Sequence, residues 1–115
     1  MRVSARIRNN VRVVGAADGP VVMLAHGFGC DQTLWRSVTD ILAPNFSVVL
    51  FDHVGSGASD PAAWDADKYA PLEAYARDIV DIAEEFDLHD VTFVGHSVAS
   101  MMGVLAVQAA PERFS

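Results

Sequence analysis

One cysteine, Cys30, occurs in 115 residues, so no internal disulfide can form, and a reducing compartment fits that usage. Basic residues are few. Eight Lys and Arg stand against fifteen Asp and Glu, giving a net charge of −7. Affinity for a phosphate backbone needs clustered Lys and Arg, so no nucleic-acid partner is expected. Apolar runs stay well short of the roughly 18 residues of a membrane span, and no membrane partner is expected either. Met1 to Val14 alternates charged with apolar residues and does not read as a signal peptide. Together these absences leave a cytoplasmic protein as the expectation. No histidine has the spacing of a metal ligand, and no cofactor is implied. Neither an internal repeat nor a low-complexity tract is visible.

What the chain has in plenty is hydrophobic residues, 51% of the total, with a mean hydropathy of +0.23. One domain at most fits this length. So apolar a composition is unusual for a small free-standing domain, which buries a lower share of its surface. A chain that forms part of a larger core would explain it. Four of the eight basic residues, Arg2, Arg6, Arg8 and Arg12, fall in the first twelve positions and read as the exposed face of an N-terminal hairpin. Most of the acidic residues between Asp60 and Asp90 read as the solvent face of a helix.

The hairpin is predicted from Ala5 to Asn9 and Val11 to Val14 around the Asn9-Asn10 turn signal. Val21 to Ala25 is a continuous apolar run, the mark of a strand covered on both faces. Asp31 is a plausible N-cap for a helix carrying Leu34, Trp35, Val38, Ile41 and Leu42 on one apolar face. Pro44 and Asn45 end it, and Phe46 to Phe51 is the next buried strand. A polar loop runs from Asp52 to about Ala70. Pro71 suits the first turn of a helix that buries Leu72, Tyr75, Ile79, Ile82, Ala83 and Phe86. Val91 to Val94 is a third apolar strand. A last helix, with Met101, Met102, Leu105 and Ala109 on or near one face, should end before Pro111. Strand-helix alternation of this kind implies an α/β fold with a parallel sheet and helices on both faces. Ligands bind such sheets beyond the carboxyl ends of the strands, where the loops after Ala25, Phe51 and Val94 all lie.

The loop after Val94 carries the strongest signal. Gly95-His96-Ser97-Val98-Ala99 sits between strand and helix, the layout of a nucleophile elbow. A tight turn there puts Ser97 on strained backbone with its hydroxyl at the sheet's carboxyl end. The helix N-terminus behind it offers amides to a developing oxyanion. The usual pattern ends in Gly, and Ala99 adds a methyl group. The tightest demand is expected to fall on Ser97 and Gly95, so Ala99 should be tolerated with a slight shift.

His26-Gly27-Phe28-Gly29 ends the first parallel strand. It reads either as an ordinary glycine turn or, with an elbow two strands later, as the second half of an oxyanion hole. In the latter case the donors are the amides of Phe28 and Val98. Gly27, Phe28 and His96 are then expected beside the substrate, with the His96 side chain pointing away from Ser97. The stretch from Asp52 to Asp60 has neither G-x-G-x-x-G spacing nor a GK[ST] ending and is not a phosphate loop. A structural role is expected, with Asp52 and Ser59 accepting from backbone amides. His26 is expected to brace the oxyanion loop, and His53 and His89 to be solvent-exposed in turns. Cys30 has no nearby base and reads as incidental or wall-lining. Trp64 and Tyr69 read equally as pocket rim or as packing against the body.

Taken together these residues resemble the α/β-hydrolase superfamily. Gly27 to Gln32 with Trp35, Phe51 to Asp60, Lys68-Tyr69, Tyr75 to Asp78 and Phe93 to Val98 are similar to its RsbQ-type group. That group holds the bacterial sigma-B regulator hydrolase and the plant karrikin and strigolactone receptors. The resemblance implies a Ser-His-Asp hydrolase with a small hydrophobic pocket under a helical lid, acting on a small ester or lactone. It makes Ser97 the nucleophile and Phe28 and Val98 the oxyanion donors. His26 stands where some members carry Pro. In the family's chain order the acid and the His follow the Ser, so Asp52 is not the expected acid and none of the four histidines the expected base.

By the same resemblance, residues 1–115 form a partial domain that ends after the elbow helix, with lid, acid and catalytic His beyond it. The segment alone is then expected to be inactive, because a Ser hydroxyl without its base is a poor nucleophile. It should also leave apolar surface uncovered. The alternative is a ligand sensor acting through a regulatory protein partner. Haloalkane dehalogenases, with Asp at the elbow, are disfavoured by Ser97, whereas haloperoxidase-like relatives share a Ser elbow.

Overall fold

The structure, a computed structural model, describes residues 4–115. Its sheet has four strands, β1 (Arg12–Gly15), β2 (Val21–Ala25), β3 (Ser47–Phe51) and β4 (Thr92–Gly95), in the order β1-β3-β2-β4. β2, β3 and β4 run parallel, and β1 lies antiparallel on β3. The apolar runs have the predicted cause. β3 is buried along its whole length, and β2 everywhere except at Val21. Met23, Ala25, Val49 and Phe51 face one layer, which includes Ile79, Ile82, Met102 and Ala106. Val22, Leu24, Val48 and Leu50 face the other, against Trp35 and Leu42.

Helix α3 (Leu72–Glu85) follows the predicted periodicity, burying Ile79, Ile82 and Ala83, with Leu72, Tyr75 and Phe86 packed against them. Pro71 is its N-cap rather than its first helical residue. Helix α4 (Val98–Ala109) stops before Pro111 as expected. Its buried face is Ala99, Met102, Gly103 and Ala106, spaced i, i+3, i+4 and i+7. That face is rotated from the predicted one, leaving Met101 and Ala109 exposed.

One expectation is overturned here. The first half of the predicted hairpin is a one-turn helix, α1 (Ala5–Arg8), and β1 pairs with β3 instead. The cause lies some eighty positions away. The Glu85 carboxylate accepts from the Ala5 and Arg6 amides at 2.7 and 3.0 Å, capping an N-terminus that has no cap of its own. At the other end Arg8, expected on an exposed face, is 8% exposed and pairs with Asp78 and Asp81, each at 3.2 Å. Arg2 of the same basic group lies outside the described residues.

The helix after Asp31 is present as read, with a different first turn. Asp31 caps it as predicted, accepting from the Thr33 amide at 2.9 Å. It begins as a 3-10 turn, Gln32–Trp35, and continues as α2 (Arg36–Leu42). Its apolar stripe is mostly uncovered: Leu34, Val38 and Ile41 are 42%, 38% and 76% exposed. Only Trp35 and Leu42 reach the sheet. Edge strand β4 and α4 likewise present Val94, Met101, Val104 and Val107 to solvent. The expected uncovered apolar surface is present on both layers.

Candidate active site

The chain leaves β4 at Gly95 and enters α4 at Val98, so two residues make the whole turn. Ser97 caps the helix at φ 59° and ψ −125°, a conformation costly for any residue with a β-carbon. Two donors from Ser100 fix its carbonyl, the amide at 3.0 Å and the hydroxyl at 2.7 Å. A β-carbon at Gly95 would come within 2.6 Å of the Ala99 carbonyl carbon, so only glycine lets α4 start this close to β4. Ala99 itself is fully buried, and its methyl group is accommodated. Ser97 is exposed at the positive end of the α4 dipole, and among the described residues its hydroxyl bonds to no histidine.

Two loops flank this turn. After β2, Gly29 at φ 79° carries the chain past Phe28, whose side chain is 93% exposed. Gly27 lies against the His96 ring, with a β-carbon there reaching 2.5 Å from Nδ1. After β3, Asp52 accepts from the Gln32 amide at 2.9 Å and the Ala58 amide at 3.0 Å. Ser59 Oγ accepts from the Gly55 amide at 3.2 Å. Asp52 and Ser59 thus have the structural role read from the sequence. Gly57, at φ 51°, is held over Asp52, where a β-carbon would lie 2.6 Å from Oδ2.

His26 is fully buried and ties these loops together. The His53 amide donates to His26 Nε2 at 2.9 Å. That nitrogen is therefore unprotonated, and Nδ1 carries the proton it shares with the Gly27 carbonyl at 2.8 Å. His53 was expected in solvent and is 4% exposed instead. Its Nε2 lies 2.9 Å from the His26 carbonyl and donates to it. The loop folds back over the sheet's end, so a turn position does not face water. Burial, then the neighbouring His26, pulls its pKa down to about 4, leaving it neutral near pH 7. His89 is exposed in a turn beside Asp87, as predicted.

A cleft of about 540 Å³ opens between the loops. Phe28 and Val98 line it, whereas Gly27, His96 and Ser97 are not among its lining residues: Gly27 and Ser97 adjoin Phe28 and Val98 in the chain, and His96 is exposed. Its far wall is Trp64, Tyr69, Leu72 and Tyr75. Trp64 stacks on Tyr69 at 6.0 Å, and Tyr69 packs on Tyr75 at 4.9 Å, so both loop aromatics serve as wall and as packing. Cys30 is half-buried beside a second, polar pocket with Asp31, Thr33 and Ser56.

Behind the wall lies a polar chain that sequence reading missed. Tyr69 donates to Asp78 at 2.8 Å, and Asp78 pairs with Arg8. Burial, and then the bond to Asp78, raise the Tyr69 pKa. Burial also raises that of Asp78, against the pull of Arg8 and Tyr69. Asp78 does not belong to the solvent face. The available signal was its place on α3, three residues after Tyr75 and four before Ile82.

Among the described residues no helix is long and apolar enough to cross a membrane, and no three His, Cys, Asp or Glu could hold a metal ion.

Residues 20–115 match the family model for the alpha/beta hydrolase fold, and the chain belongs to that family. A karrikin insensitive 2 receptor of Petunia hybrida is 42% identical over 107 residues, covering 93% of this chain and 39% of that protein. A strigolactone esterase of Arabidopsis thaliana is 40% identical over 106 residues, covering 92% and 39%. Among solved structures, a hydrolase from Oleispira antarctica superposes with a TM-score of 0.93 at 40% identity, covering 96% of this chain and 40% of that one. The chain thus spans about two fifths of the length of these relatives.

Proposed function

We propose that this chain carries the nucleophile half of a serine hydrolase acting on a small hydrophobic ester or lactone. Ser97 attacks the carbonyl carbon. The amides of Phe28 and Val98 receive the developing oxyanion. Gly27 packs on the His96 ring beside it, and the apolar cleft takes the substrate's hydrocarbon part. The general base and its acid come from chain outside residues 1–115, in keeping with the greater length of the relatives. The observation that carries this reading is Ser97 at positive φ on a two-residue strand-to-helix turn. No structural need explains a non-glycine residue there, whereas presenting a hydroxyl does.

Hydrolysis of 4-nitrophenyl acetate by the full-length protein tests it. Ser97→Ala should lower kcat by about a thousandfold or more. Undiminished turnover in that variant would rule the reading out.

The receptor-named relatives favour a second reading, in which the same cleft serves a ligand sensor that works through a regulatory protein. Ligand binding would then survive Ser97→Ala together with the downstream response.

A further inference from the structure

His53 is a residue of the cleft wall whose chemistry the proposed reaction leaves unused. Its Nε2 must carry a proton, because it lies 2.9 Å from the His26 carbonyl, which can only accept. A neutral imidazole holds one such proton, so Nδ1 is a bare acceptor. Among the described residues nothing donates to it. The side chain is nevertheless 4% exposed and lines the cleft. Two polar neighbours in that wall are already committed: both ring nitrogens of His26 are used, and the Tyr69 hydroxyl is bound to Asp78.

The ring cannot swing away to find a partner. It is wedged edge-on between His26 at 4.4 Å, Phe51 at 5.2 Å and Tyr75 at 5.8 Å between ring centres. The reciprocal bonds with His26 fix its tilt. Nδ1 keeps some exposure, and an immobile acceptor beside an apolar cleft is a preorganised recognition point.

We propose that His53 Nδ1 accepts a hydrogen bond from a hydroxyl group on the ligand, so that the cleft selects an apolar, ring-bearing molecule with a hydroxyl over its O-methyl or deoxy analogue. The aromatic wall of Trp64, Tyr69 and Tyr75 meets the ring, and His53 the hydroxyl. This rests on taking the cleft as the substrate site of the proposed hydrolase. It assigns His53 to specificity and gives it no part in bond breaking.

The test uses phenol and anisole, which differ by one methyl group on oxygen, with full-length protein and binding followed by calorimetry. Neither is a substrate, so the outcome is separable from the role of Ser97. Each compound's own desolvation cancels when its affinity for the native protein is compared with that for a variant. The ratio of phenol to anisole affinity should fall about tenfold in His53→Phe, the effect of one hydrogen bond. Should that variant misfold, the native protein suffices. With 15N-labelled histidine, the His53 Nδ1 resonance should move upfield on adding phenol and stay still on adding anisole. An unchanged affinity ratio in a folded variant, or an Nδ1 resonance indifferent to phenol, overturns the proposal.

Discussion

Gly95 and Ala99 touch through their backbones: a β-carbon on Gly95 would stand 2.6 Å from the Ala99 carbonyl carbon and 2.7 Å from its oxygen. This contact sets how closely α4 approaches β4, and so where Ser97 stands. Gly95→Ala should destabilise the full-length protein by about 1–3 kcal/mol through overpacking, read from urea denaturation. It should also reduce reactivity at Ser97. Ala99→Gly, which restores the commoner elbow residue, should leave that reactivity unchanged.

The Arg8–Asp78 pair is buried on both sides, with side chains 9% and 4% exposed. It joins α1 to α3 and, through Tyr69, to the cleft wall. Removing one partner strands the other charge. Arg8→Ala should therefore cost about 3–5 kcal/mol, while exchanging both residues for apolar ones should cost far less. A double-mutant cycle measures the coupling.

Stability should depend on pH through His53. Its folded pKa of about 4 lies below the ordinary 6.5, because burial and the adjacent His26 disfavour its charge, against the nearby Asp52. The unfolded chain then binds the extra proton first as pH falls. The contribution is fully present above pH 6.5 and is lost as pH drops from there towards 4, by up to roughly 3 kcal/mol. Urea midpoints between pH 7 and pH 4 should follow that course, and His53→Phe should flatten it.

Residues 1–115 made on their own should self-associate. Ile41, Met101 and Val104 are 76%, 56% and 56% exposed, on α2 and on α4. Light scattering should report particles larger than a 12.4 kDa monomer, and the isolated segment should not turn over 4-nitrophenyl acetate.

The parallel strands were legible because strands covered on both faces read as unbroken apolar runs, as Val21 to Ala25 does. α3 was legible from its period, and the elbow from Gly95 and Ser97 between a strand and a helix. What escaped depends on distant partners. Ala5 to Arg8 alternates like a strand, yet its helix is capped by Glu85 and anchored by Asp78 and Asp81. His53 occupies a loop, and its burial comes from His26, Phe51 and Tyr75, none of them its chain neighbour in the turn. α2 has the apolar spacing of a covered helix without the cover. Periodicity reports which face is apolar and is silent on what meets it.

The most direct test of Ser97 as nucleophile is to treat the full-length protein with a fluorophosphonate and locate the adduct by peptide mass spectrometry. One phosphonyl group on Ser97, with loss of ester hydrolysis in step with labelling, is the predicted result. Full hydrolytic activity with Ser97 unmodified, or an adduct on another residue that tracks the loss of activity, would contradict the account.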